Sequence, residues 1–147
     1  MTYLMKMRRH IVAALSIAAI VSIVPASVSQ AATVGVRRHA QVSAKVCDYD
    51  WRKGTFQVKK LIRCAAEHWN VPGGADLALH IADRESHYYP NAYNPSGCAG
   101  IYQHMLRFWP GRAASFGFQG WSAYNARANI IVTMRMVHAD GWGPWGS

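Results

Sequence analysis

A chain of 147 residues with 16 Lys and Arg, 7 Asp and Glu and 51% hydrophobic residues has room for one modest core, which excludes a multidomain machine. Charged residues make up only 16% of it and form no long polar run, which excludes an intrinsically disordered chain. The formal charge of +9 makes an anionic partner the first expectation, with simple solubility as the plain alternative.

Residues 1–31 read as a secretory signal. Lys6, Arg8 and Arg9 give a basic start, Ile11 to Val24 form an uncharged run of 14 residues, and Pro25 breaks it. Ser29 and Ala31 are the small residues expected just before a cleavage site after Ala31. A membrane anchor needs about 20 apolar residues, more than this run supplies. Cleavage leaves 116 residues with 13 basic and 7 acidic side chains, a formal charge of +6. A secreted or cell-wall-associated protein of that charge meets an anionic envelope rather than nucleic acid. It is expected to be a monomer with no membrane insertion after signal cleavage.

Residues 32–53 show no sustained period and read as a flexible N-terminal arm, followed by one folded domain over 54–147. Cys47, Cys64 and Cys98 allow three pairings in an oxidising compartment. Cys47 with Cys64 is the favoured one, because it ties the arm to the first helix and leaves Cys98 free. The histidines are scattered and no Cys-x-x-Cys spacing occurs, so no metal or cofactor is expected.

Val58, Leu61, Ile62, Ala65 and Trp69 form the stripe of a first amphipathic helix, ended by Asn70 and Val-Pro-Gly-Gly. A second helix runs from about Ala75 to Ser86, with Asp76 in its first turn and Pro90 beyond its end. Asn91 to Gly100 is rich in turn residues and reads as a loop or short hairpin. A short helix begins near Pro110 and ends near Gly117, and a long one spans about Ser122 to Ala139 with the stripe Ala123, Ala126, Ile130, Met134 and Val137.

The chain has two glutamates, and they differ. Glu67 reads as a solvated helix charge. Glu85 follows Leu77 and Ile81 at steps of four and so shares their apolar face. Partial desolvation and the carbonyl end of the helix both favour the protonated carboxyl there. A carboxyl still protonated near neutral pH can give its proton to a leaving group, as the general acid of glycoside cleavage does. The plainer alternative is a glutamate at the margin of the stripe, paired with Arg84. Tyr88, Tyr89, Tyr93, Tyr102, Trp109, Trp121, Trp142 and Trp145 all follow Glu85, and aromatic faces with polar edges suit sugar rings as well as they suit a core.

Three segments carry a resemblance: Arg84-Glu85-Ser86 followed by Tyr-Tyr-Pro-Asn-Ala, then Gly100-Ile101-Tyr102-Gln103, then Gly-Trp-Gly-Pro-Trp at 141–145. In this order and spacing, over about residues 56–146, the chain resembles the lysozyme-like, soluble lytic transglycosylase superfamily. It is similar above all to small secreted actinobacterial members and to resuscitation-promoting factors. The resemblance implies a mainly α, compact lysozyme-like domain, of the soluble-transglycosylase or goose-type kind, with a sugar cleft. The implied partner is the peptidoglycan glycan strand of β-1,4-linked N-acetylmuramic acid and N-acetylglucosamine. Glu85 takes the catalytic acid/base position, and Ser86 the next position of the motif, where it helps orient the site. Gly100 and Gln103 match a Gly-Leu-Phe-Gln type of segment that lines the cleft, with Ile101 and Tyr102 replacing its central pair. Tyr124, in Ser-Ala-Tyr-Asn-Ala-Arg, matches part of an Ala-Tyr-Asn-Ala-Gly motif, although Arg127 stands at its glycine. Trp142 and Trp145 are carried over as further substrate-binding residues.

A glycosidase of the ordinary kind needs two carboxyl groups. Asp83 points about 160° away from Glu85 around the helix, and Asp76 lies about 13 Å along it. Asp48 and Asp50 fall in the arm and Asp140 at a helix stop. One carboxyl suffices if the sugar's own 6-hydroxyl is the nucleophile, which leaves a 1,6-anhydro end. A hydrolytic muramidase and a non-catalytic cationic wall-binding protein remain as alternatives.

Overall fold

The structure is a computed structural model that describes residues 46–146. The expected signal segment, and residues 32–45 of the expected arm, lie outside the described residues. Four helices carry the fold: α1 (Thr55–His68), α2 (Gly74–Ser86), α3 (Trp109–Ser115) and α4 (Ala126–Asp140). Between α2 and α3 lies a small antiparallel sheet of three two-residue strands, β1 (Tyr93–Asn94), β2 (Cys98–Ala99) and β3 (His104–Met105), in the order β1-β2-β3. The chain is therefore mainly α, and no helix among the described residues is long and apolar enough to cross a membrane.

The period of apolar residues explains α1 and α2, which pack on each other. Val58, Leu61, Ile62 and Ala65 of α1, and Ala78, Ile81 and Ala82 of α2, are all within 1% of complete burial. Helix α4 differs from the expected one-sided stripe. Ala126, Ile130, Met134 and Val137 face one half of the core, while Ala128, Ile131 and Val132 face the other, with Trp69 and Met136 packed against both halves. A helix buried on opposite faces is a central helix, and the other elements wrap it. It begins four residues later than the sequence led us to expect, because the Asn125 side chain accepts the N–H of Ala128 and caps it. Ser122 instead turns the chain locally, its hydroxyl accepting the N–H of Tyr124.

The expected disulfide between Cys47 and Cys64 is present and Cys98 is free. Closing a loop of 17 residues stabilises the fold by about 3 kcal/mol through the entropy it removes from the unfolded chain. Residues 46–53, expected to belong to a flexible arm, are packed against the fold. Tyr49 and Trp51 pack against the core, and Trp51–Lys53 form a 3-10 turn capped by Asp50, whose carboxylate accepts the N–H of Arg52. Arg127, the residue that breaks the Ala-Tyr-Asn-Ala-Gly pattern, holds this segment down. Its guanidinium donates to the carbonyls of Val46 (2.7 Å) and Cys47 (3.0 Å) and to Asp48 (3.2 Å). A charged group buried this far needs such partners.

Candidate active site

Glu85 sits in the last turn of α2. Along its face Leu77 is half-buried, Ile81 is fully buried, and the Glu85 side chain is 24% exposed. The helix ends at Ser86, after which His87 and then Tyr88 take left-handed backbone conformations and turn the chain sharply. Glu85 is thus held on a regular element with its carboxylate at the solvent margin. Glu67, by contrast, is exposed, as its position in α1 implied.

Arg84 is the nearest charge. Its Nη2 and Nε donate to Oε1 of Glu85 at 2.8 and 3.2 Å, and Nη2 also donates to the carbonyl of Trp145. The pairing with Arg84 that the sequence left open is therefore present, and it ties the end of α2 to the terminal turn Gly143–Trp145. Both bonds fall on Oε1, so Oε2 has no hydrogen-bond partner among the described residues.

Ser86 is buried and its hydroxyl lies 2.8 Å from the carbonyl of Ile101 and 3.2 Å from that of Ala82. This contact brings the two matching segments, 84–86 and 100–103, together. The second segment is clamped from behind by Asn129, a fully buried residue of α4. Asn129 Oδ1 accepts the N–H of Tyr102 (2.9 Å), and Nδ2 donates to the carbonyls of Ala123 (2.9 Å) and Ala99 (3.4 Å). Gly100 passes through the clamp with φ near +80°, and Gln103 leaves it with φ near +47°. The Gln103 amide donates to the carbonyls of Gly100 (2.9 Å) and Ala92 (3.3 Å), which closes the loop on itself.

Several residues expected to meet substrate are core residues. Tyr102 is completely buried and its hydroxyl donates to the Ala78 carbonyl, while burial pushes its phenol well above the ordinary range. Trp142 donates to the Pro72 carbonyl and Trp145 to that of Tyr102, and both are more than nine-tenths buried. Gly100 is buried as well, so its contribution is the shape of the loop. Tyr124 is half-buried against the second half of the core. A polar edge that needs a partner is satisfied as well by a backbone carbonyl as by a sugar, so the sequence alone does not separate the two uses. Of the eight tyrosines and tryptophans first considered for a sugar cleft, Tyr89, Tyr93 and Trp121 are the exposed ones.

Four of the five aspartates have basic partners of their own. Asp48 is bound to Arg127, Asp50 to Arg52, Asp76 to Arg63 and Asp83 to His87. Among the described residues no three His, Cys, Asp or Glu side chains are placed to hold a metal ion. Two surface hollows, of about 310 and 180 Å³, are lined by residues 48–58, 88–90 and 121–127 and not by Glu85.

His104, which sequence reasoning passed over, forms a buried chain of hydrogen bonds behind the sheet. Nδ1 lies 3.0 Å from Arg112 Nη1 and Nε2 lies 2.8 Å from Thr133 Oγ1, whose hydroxyl donates to the Asn129 carbonyl. Because Arg112 can only donate, Nδ1 accepts and the N–H is on Nε2. Burial, then the Arg112 charge, lowers the His104 pKa to about 3. The unfolded chain takes up a proton near pH 6.5 that the folded chain refuses, so this stability is present above about pH 6.5 and is lost as the pH falls towards 3. The His104 share of the loss is about 1.4 kcal/mol per pH unit. Urea unfolding at pH 6.5 and 5 should show a drop of about 2 kcal/mol that His104→Gln removes. An unchanged drop in that variant would assign the acid sensitivity elsewhere.

Compared with known proteins, the chain matches no family model, no curated protein sequence and no solved structure.

Proposed function

We propose that the protein is a lysozyme-like enzyme that cleaves the β-1,4 bond between N-acetylmuramic acid and N-acetylglucosamine in peptidoglycan, with Glu85 as its one acid/base and a 1,6-anhydro end as its product. The observation that carries this reading is the junction at Ser86. It joins a glutamate at the solvent end of an otherwise apolar helix face to the Gly100–Gln103 loop, 15 residues further on. A cleft enzyme needs its acid on a rigid element beside a shaped loop, and Asn129 supplies the rigidity. The disulfide supports action outside the cytoplasm.

In this reading Oε2, the oxygen that Arg84 leaves unbonded, is the one that delivers the proton. It passes to the glycosidic oxygen as the bond to C1 of the muramic acid breaks. The carboxylate then takes the proton of the 6-hydroxyl while O6 closes on C1, so no water is consumed and Glu85 ends protonated again.

Mass spectrometry of the fragments released from isolated peptidoglycan by residues 32–147 tests this. Fragments about 18 Da lighter than the hydrated muropeptides are expected. Hydrated reducing ends would instead mean that water attacks, as in a muramidase. A non-catalytic wall-binding protein is favoured by one observation, the occupation of Oε1 by Arg84, and would bind the wall and release nothing.

A further inference from the structure

The segment held by the disulfide and Arg127 builds a surface feature that the chemistry at Glu85 does not use. The larger hollow, about 310 Å³, lies between this segment and the start of α4. That volume is at the lower end of small-ligand sites. Four of its lining residues are charged, and they balance: Asp48 pairs with Arg127 at 3.2 Å and Asp50 with Arg52 at 3.7 Å. On a chain with a basic surplus, this patch favours neither a phosphate nor a cation. Its walls include the indoles of Trp51 and Trp121. The N–H groups of Trp109, Trp142 and Trp145 are all taken by backbone carbonyls, whereas those of Trp51 and Trp121 have no acceptor among the described residues. Arg52 covers one face of Trp51 at 4.7 Å, which leaves that ring its edge to offer, while Trp121 is 39% exposed.

Trp121 packs T-shaped against Phe118 on one side and is exposed on the rest. Balanced charge, this partly exposed indole and two unspent indole donors describe a site for a neutral ring with apolar faces and polar edges. We propose that this hollow is a second saccharide-binding site, which stacks an N-acetylhexosamine unit on Trp121 and holds its polar edge with the Trp51 indole N–H and the Asp48 and Asp50 carboxylates. The identity of the sugar rests on the proposed substrate, but the site does not rest on Glu85 acting as an acid. The smaller hollow shares Trp51 and Arg52 with it and is also lined by Tyr88 and Tyr89, three and four residues beyond Glu85. One glycan strand thus has a route between the end of α2 and this site.

The test uses residues 32–147 carrying Glu85→Gln, titrated with the β-1,4-linked tetramer of N-acetylglucosamine and followed through the indole N–H resonances. The Trp51 and Trp121 signals should shift on addition of the tetramer, while those of Trp109, Trp142 and Trp145 should not. Trp121→Ala should weaken binding about tenfold, and Trp121→Phe, which keeps a ring and loses the N–H, should weaken it less. Binding that moves neither indole, or that survives Trp121→Ala unchanged, overturns the site. Glycan cleavage by the Glu85 protein is measured separately. Loss of the enzyme reading with Trp121-dependent binding intact leaves the site standing, and cleavage without such binding removes the site alone.

Discussion

Replacing Glu85 by glutamine is expected to lower glycan release from peptidoglycan by about 10²- to 10⁴-fold, the range over which a positioned general acid contributes. The argument turns on which oxygen does what. Both Arg84 contacts fall on Oε1, and a glutamine amide oxygen can accept the same two bonds, so the link from α2 to the terminal turn survives. The amide nitrogen then stands where the transferable proton was, and it has none to give at neutral pH. The side chain is 24% exposed, which leaves room for the amide hydrogens to meet water. Circular dichroism and the melting temperature should therefore match those of the parent protein while activity is lost. Near-normal turnover in a folded Glu85→Gln protein would remove the acid from the proposed mechanism and leave the wall-binding alternative.

The helices were legible because an amphipathic period is a local signal. Val58 to Trp69 and Ala75 to Ser86 differ from the observed α1 and α2 by a few residues at the ends. What was not legible depends on partners far away in the chain. Arg127 visibly broke a pattern, yet nothing near it in sequence says that its guanidinium closes on carbonyls 80 and 81 residues earlier. Residues 46–53 have no period because a disulfide, a buried arginine and two aromatic rings hold them, and none of these needs one. Asn129 did leave a signal: it is a lone amide in the run Ala-Asn-Ile-Ile-Val of a buried helix, and a buried polar group must be bonded to something. The same rule, applied to the tyrosines and tryptophans, would have divided rings bonded to backbone from rings that are open. That division needs coordinates, since composition states only that each ring has a polar edge.

Gly100→Ala is expected to destabilise the fold by about 3 kcal/mol or more, from strain at a positive φ and from overpacking together. At φ near +80° a Cβ is disfavoured in any surroundings. Here it would also press well inside van der Waals contact of the Ala123 carbonyl oxygen and Asn129 Nδ2. Neither neighbour can retreat cheaply, because Nδ2 is donating to that carbonyl and Oδ1 of the same amide holds the N–H of Tyr102. A domain of about this size loses roughly 4–8 °C of melting temperature per kcal/mol, so a fall of about 12 °C or more should be seen by differential scanning calorimetry. The double mutant separates the two causes. With Asn129→Ala in the background one of the two obstacles is gone, so Gly100→Ala should cost less there than in the parent protein, and the difference is the coupling between loop and clamp. Equal costs in both backgrounds would assign the effect to the backbone conformation and the Ala123 carbonyl together. An unchanged melting temperature in Gly100→Ala alone would show that the loop yields, and that Asn129 does not hold the segment beside Glu85 rigidly enough to shape a cleft.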